Sequence, residues 1–199
     1  RNIGIQQARG DYLVFIDADC IADSEWLAAL LAAQDAEHKV VGGGVSLDKS
    51  NYWQLCYNLT MFHEFLSTAP PGKRDNLGTL NLCVSREVIE RVGLFDESLT
   101  RGQDTEWTLR MRRHGYTLYF APQAVVYHIP EITGLSQIVG LWYRSGFFNA
   151  QVRQRYRNLI ASPPFYSTPL MLVLLSPVIG AIVTARLFIR DPRLLRYIH

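Results

Sequence analysis

The most restrictive feature of this chain is a short apolar run, Tyr12-Leu13-Val14-Phe15-Ile16, that halts at Asp17-Ala18-Asp19. Aromatic and branched side chains over five positions suit a strand buried on both faces. Gly10-Asp11 marks a turn into it, and residues 2–8 are compatible with a short helix before it. Two carboxylates at a strand end leave two readings open. They are turn-forming aspartates, one of them capping a helix. Or they hold a hard divalent cation, which takes few protein carboxylates together with waters and substrate phosphates.

The rhythm of strand and helix then continues. Asp23-Ser24 can cap a helix over 25–36, with Trp26, Leu27, Leu30 and Leu31 on one side. Residues 40–47 make the next expected strand. Gly42-Gly43-Gly44 lies inside it without P-loop or dinucleotide spacing, and points to a close approach of backbones. An aromatic-rich helix is expected over 52–66, a loop over 69–76 and a strand over 78–84. Ser85 would cap a helix over 86–92 that Gly93 stops. A further helix begins near Gln103-Asp104 and ends at Gly115. Two short strands, 117–120 and 124–127, lead to His128. This alternation predicts an α/β domain with a mainly parallel sheet. Ligands of such sheets sit at the carboxyl ends of strands. Asp17, Asp19 and His128 all follow or end strands, so one site should gather them.

Composition narrows the function classes. With 199 residues and 48% hydrophobic side chains, the chain has ample material for a core, and disorder is excluded. A net charge of +2 gives no reason to invoke nucleic acid. Cys20, Cys56 and Cys83 are isolated, and no pair has zinc-ligand or redox spacing. Such cysteines suit a reducing compartment and a role as small buried residues. There is no signal-peptide pattern at the start.

The C-terminal third differs. From Arg144 onward the only acidic residue is Asp191, which suits a surface near anionic lipid headgroups or simply a solvated basic face. Trp142, Tyr143, Phe147 and Phe148 precede Arg153, Arg155 and Arg157, so an interfacial amphipathic segment is expected within 136–168. Residues 169–185 are almost wholly apolar or small, and Arg186 can snorkel. A transmembrane helix over 169–189 is therefore expected, with a buried soluble helix as its alternative. Residues 190–199 form a basic tail.

Two further candidates carry chemistry. Asp104 and Glu106 open an Arg-rich helix, where carboxylates serve as caps or supply a general base. His128 is either a hydrogen-bonded strand-end residue or a neutral imidazole completing a metal site.

Taken in order, these pieces carry a resemblance. Arg1-Asn2-Ile3-Gly4-Ile5, Ala8-Arg9-Gly10-Asp11-Tyr12 and Phe15-Ile16-Asp17-Ala18-Asp19 resemble the middle of family 2 glycosyltransferases. So do the stretch from Asn81 to Arg86, Val92-Gly93-Leu94-Phe95-Asp96-Glu97, Gln103-Asp104-Thr105-Glu106, Arg110-Met111-Arg112, Gly115-Tyr116 and Val125-Val126-Tyr127-His128. The resemblance covers roughly two-thirds of the chain. It implies a GT-A fold, with a partial catalytic domain over 1–135. It also implies inverting transfer of a sugar from a nucleotide-diphosphate sugar to a hydroxyl of a saccharide or lipid-linked acceptor, in synthesis of envelope polysaccharide or glycolipid. Mg2+ or Mn2+ would be the cofactor.

By the same resemblance, Asp17-Ala18-Asp19 is the DxD motif. Asp19 ligates the metal, Asp17 contacts the metal or the nucleotide, and His128 is a later metal ligand. Arg1 and Asn2 lie near the nucleotide, and Asn81 near the donor sugar or acceptor. Asp104 is the catalytic base, with Gln103 on the substrate side where the family usually has Glu. The family's opening strand and uridine-contacting aspartates would precede Arg1, so this piece alone should bind nucleotide poorly and be inactive. Gln151-Val152-Arg153-Gln154-Arg155-Tyr156 does not match the Gln-x-x-Arg-Trp of processive members, which favours transfer of one sugar. Membrane lipids and a place on the cytosolic face complete the expectation. Two other classes remain: a metal-dependent nucleotidyltransferase, which would not call for Asp104, and a non-catalytic sugar- or lipid-binding membrane module.

Overall fold

A computed structural model describes residues 1–47, 51–156, 158 and 159, and further on positions 178, 181, 182, 185, 186 and 189. The chain divides into two compact units, 1–159 and 160–199. The first contains helices α1 (Asn2–Gln7), α2 (Trp26–Ala32), α3 (Tyr52–Phe62), α4 (Arg86–Val92), α5 (Gln103–Arg113) and α6 (Leu135–Arg155). Its strands are β1 (Tyr12–Ile16), β2 (Cys20–Ala22), β3 (Val40–Ser46), β4 (Gly72–Lys73), β5 (Asn81–Ser85) and β6 (Leu118–His128).

The strands form one sheet in the order β1-β5-β3-β6-β2, with β4 also on β6. Among the named strands only β3 and β6 run parallel; the other pairs are antiparallel. The expected mainly parallel sheet is therefore corrected to a mixed one. The reason lies in the connections. Between Ser46 and Asn81 the chain passes through α3 and returns to the end of the sheet it left, so β5 runs back along β3. Periodicity identifies a helix between two strands but not whether it crosses the sheet.

Other expectations need local correction. β1 is not buried on both faces: it ends the strand order, and Tyr12 and Ile16 are exposed. In α2 only Leu30 is buried, while Leu27 and Leu31 face outward. Ser85 precedes α4 but makes no side-chain capping bond. The two strands before His128 are one strand, β6. Its pairing to β3 jumps from Gly43↔Ala121 to Gly44↔Val125, because Pro122 lacks an N–H and sits in the bulge.

The core lies between the sheet and the helices. Val88, Ile89 and Val92 of α4 and Trp107 and Met111 of α5 pack with Val40, Leu82 and Val84. Phe95 lies 4.1 Å from Trp107, and Phe15 meets Trp107 edge-on at 5.5 Å. Glu106 is 1% exposed and bound by Arg110 at 3.1 and 2.9 Å and by the Tyr156 hydroxyl. Burial pushes the Tyr156 phenol up to about 12, with Glu106 acting in the same direction. Together with an Arg155–Asp96 pair at 2.8 Å, this contact secures the end of α6.

The expected transmembrane helix over 169–189 lies almost wholly outside the described residues. Among those described, no helix is long and apolar enough to cross a membrane.

The three glycines of β3 are explained by what presses on them. The Asn81 side chain is inserted beside Gly43, donating to Gly44 O at 3.1 Å and Ala124 O at 2.7 Å and accepting from Trp26 Nε1 at 2.8 Å. A Cβ on Gly43 would stand 2.3 Å from both the Asn81 amide nitrogen and the Ala124 carbonyl oxygen. Gly43→Ala should destabilise the fold by about 1–3 kcal/mol, as overpacking does. Gly140→Ala meets no atom within 4 Å and should leave stability unchanged or raise it by about 0.5–1 kcal/mol through helix propensity. Urea unfolding of the two variants beside the parent measures the contrast.

Candidate functional site

The fold brings the sequence candidates to one end of the sheet. β1 and β2 occupy opposite ends of the strand order, so the link at residues 17–19 spans from one to the other. β2 pairs with the last residues of β6, Cys20 opposite His128. Ile129 N donates to Asp19 O at 2.8 Å. As a result His128 Nε2 stands 3.3 Å from Asp19 Oδ2.

His128 is held from behind. Asn58 of α3 donates through Nδ2 to the His128 carbonyl at 2.9 Å, which turns its Oδ1 towards the ring. Oδ1 lies 2.7 Å from Nδ1. Nδ1 must therefore carry the proton, and Nε2 presents a lone pair to Asp19 when the ring is neutral. Burial against Phe62 and Tyr57 depresses the imidazole below its ordinary 6.5, although Asp19 and Asp17 pull it upward. A neutral nitrogen and a carboxylate oxygen 3.3 Å apart are two acceptors facing each other. A cation between them resolves that conflict, so these residues fit a divalent metal.

The surrounding charge is acidic. Burial raises the Asp17 carboxyl above its usual range. Arg1 opposes this, while the negative charges of Asp19 and Asp104 add to it. Three carboxylates thus share one neighbourhood. Arg1 pairs with Asp17 at 3.2 Å. Asp17 stands outside the donor cluster of Asp19, Cys20 and His128, whose ligand atoms lie within 4.8 Å of one another. Asp104, in the first turn of α5, accepts from Thr105 N at 2.9 Å. Glu106, two residues on, is turned into the core.

Three expected contact residues are occupied elsewhere. Asn2 clasps the backbone of Phe95 with both ends of its amide and also reaches Glu97, fixing α1 to that loop. Asn81 is 2% exposed and uses both amide hydrogens within the sheet. Its strand position faces the glycines of β3, and its amide is engaged there. Gln103 donates to the Leu99 carbonyl.

Sequence reasoning misses two residues of the site. Asn58 is a polar residue one turn from Leu55 on the buried stripe of α3, and a polar residue on such a stripe is the signal. Cys20 donates weakly to Asp19 Oδ1 at 4.0 Å, and burial pushes its thiol up to about 12. Its part depends on pairing with β6, which no spacing reveals.

Comparison with known proteins agrees with this geometry. The family model described as "Glycosyltransferase like family 2" matches residues 1–159. The chain belongs to the family 2 glycosyltransferases. It is 33% identical to glycosyltransferase AglE of Haloferax volcanii over 129 residues, 64% of this chain and 42% of AglE. It is 29% identical to the dTDP-rhamnosyl transferase RfbF of Shigella flexneri over 138 residues, 64% of this chain and 47% of RfbF. The chain thus spans less than half the length of these relatives. The mannosyltransferase PcManGT of Pyrobaculum calidifontis, solved with GDP-Man and Mn2+, superposes with a TM-score of 0.59 at 18% identity, covering 98% of this chain and 58% of that one. The fold is GT-A-like.

The depressed His128 gives a signed prediction. In metal-free protein the unfolded chain takes up a proton near 6.5 while the folded chain resists until a lower pH. Its effect on stability is absent above that value and grows as pH falls through the window between the two pKa values. His128→Gln removes this contribution. The difference in urea midpoint between parent and variant should shift in the variant's favour as pH falls below about 6.5. A difference constant with pH would contradict it.

Proposed function

We propose that this chain carries the metal and acceptor side of an inverting glycosyltransferase site. The reaction moves a sugar from a nucleotide-diphosphate sugar to a hydroxyl of a saccharide or lipid-linked acceptor, in making envelope polysaccharide or glycolipid. The observation that carries the reading is the Asp19–His128 pair, its tautomer set by Asn58, in the same neighbourhood as Asp17 and Asp104.

Asp19 and His128 would hold Mg2+ or Mn2+, which when bound neutralises charge on the diphosphate leaving group. Asp17, paired to Arg1, would border the nucleotide. Asp104 would take the acceptor proton while the acceptor oxygen bonds to the anomeric carbon and the bond to diphosphate breaks. No covalent enzyme nucleophile is needed, and the anomeric centre inverts. Asp104 suits the role because its carboxylate is not consumed by the core as that of Glu106 is. The names of AglE and RfbF, both transferases, support transfer as the reaction class. A metal-dependent nucleotidyltransferase would give Asp104 no task.

The reading extends to location. Leu135, Val139, Trp142 and Tyr143 lie exposed along α6, whereas Ile138 and Val152 are buried on its other side. An exposed apolar stripe with interfacial aromatics supports a helix resting on lipid, at the cytosolic face where nucleotide sugars are made. The apolar stretch over 169–189 would anchor it.

In the full-length protein, Asp104→Asn keeps the side chain's shape but removes the proton acceptor. Transfer should fall about 10²–10⁴-fold while donor binding survives; transfer near the parent rate would make Asp104 a helix cap only. Asp19→Ala should abolish manganese-dependent donor binding in calorimetry. For location, the full-length protein should sediment with membranes and need detergent for release. Recovery in the soluble fraction without detergent would refute attachment.

A further inference from the structure

The cysteine beside the metal pair has no task in a magnesium or manganese transferase. Such ions prefer oxygen and nitrogen donors and leave thiols alone. Yet the antiparallel register sets Cys20 directly opposite His128, and residues opposed in this way project from the same face of the sheet. Its sulfur, an Asp19 oxygen and a His128 nitrogen all fall within 4.8 Å of one another. His128 is 6% exposed, and its Nδ1 proton is already given to Asn58, so Nε2 is the free donor. A tetrahedral ion with bonds of about 2.0–2.3 Å holds its ligands roughly 3.5 Å apart. The Asp19–His128 separation of 3.3 Å is already there. The thiol needs to close by no more than about 1.3 Å.

We propose that Asp19, Cys20 and His128 form a site for a thiophilic divalent ion, Zn2+ or Cd2+, which competes with the Mg2+ or Mn2+ of the transfer reaction. On binding, the S–H bond of Cys20 breaks, a sulfur–metal bond forms, and the proton passes to solvent. Water fills the fourth position. The zinc site itself stands on these three side chains; its inhibitory consequence rests on the transferase reading above.

The test uses the full-length protein, stripped of metal. Cd2+ titration should raise the thiolate-to-cadmium absorption band in the ultraviolet to saturation at one ion per chain. Cys20→Ser should abolish the band, His128→Gln should weaken binding at least about tenfold, and Cys56→Ser should leave it unchanged. The ratio of Zn2+ to Mn2+ affinity should fall at least about tenfold in Cys20→Ser. A measurement on the unsubstituted protein guards against misfolding of the variants. Zn2+ should slow alkylation of Cys20, read by mass spectrometry, and Mn2+ should not. A band that survives Cys20→Ser, or an alkylation rate indifferent to Zn2+, overturns the proposal and leaves Cys20 a packing residue. Electron paramagnetic resonance of Mn2+ separates the two readings. Cadmium binding without manganese binding sinks the transferase metal site and sustains the thiol site, and the reverse result does the opposite.

Discussion

The carboxamide of Asn81 is the interaction on which the rest of this molecule depends. It is a polar group sealed inside a sheet, and such a group is costly unless every hydrogen bond is made. Here it joins β5 to Gly44 of β3, to Ala124 in the bulge of β6 and to Trp26 at the start of α2. The three glycines make the room. The bulge it ties down lies in the pairing of β6 with β3, and beyond it the last residues of β6 pair with β2, Cys20 opposite His128. Asn81 is also the strand partner of Ile16, the residue before Asp17, so this buried amide sits beside the strand end that carries the carboxylates.

The site is governed by an imbalance of charge. Asp17, Asp19 and Asp104 converge, and one arginine, Arg1, pairs with one of them. His128 adds no compensating charge when burial keeps it neutral. Folding accepts this arrangement because the side chains are only partly withdrawn from water, except for His128, whose ring is hydrogen-bonded at Nδ1. Under the proposed reading, a metal ion with its substrate phosphates would supply the positive charge that these carboxylates lack among the described residues.

Much of this is legible in the sequence, and the failures have physical causes. The strand ending in Asp17-Ala18-Asp19, the glycine run, the stop at Gly93 and the strand-end His128 are all readable because each is a local signal. Strand direction is not, since it depends on where the chain goes between Ser46 and Asn81. The exposure of Tyr12 and Ile16 is not, because an apolar run is the same string of letters at an edge as in the middle of a sheet. The burial of Asn81 is hidden for a related reason: its partners come from three separate elements, and no pattern around residue 81 announces them. Asn58 and Cys20 belong to the same class, visible only once α3 and β2 have been set against β6.

The bond from Glu106 to Tyr156 has a geometric consequence. Glu106 lies two residues from Asp104 on α5, and Tyr156 closes the end of α6. Arg155 adds a second tie to the loop before α5. The turn bearing Asp104 and the helix bearing the exposed aromatics are therefore joined as one bracket by these two contacts. If α6 lies on a bilayer, the height of Asp104 above that surface is set by the bracket and not by a flexible hinge. Under the proposed reading of Asp104 as the base, the bracket would act as a fixed gauge, admitting an acceptor hydroxyl only when its tether to the lipid had the matching length.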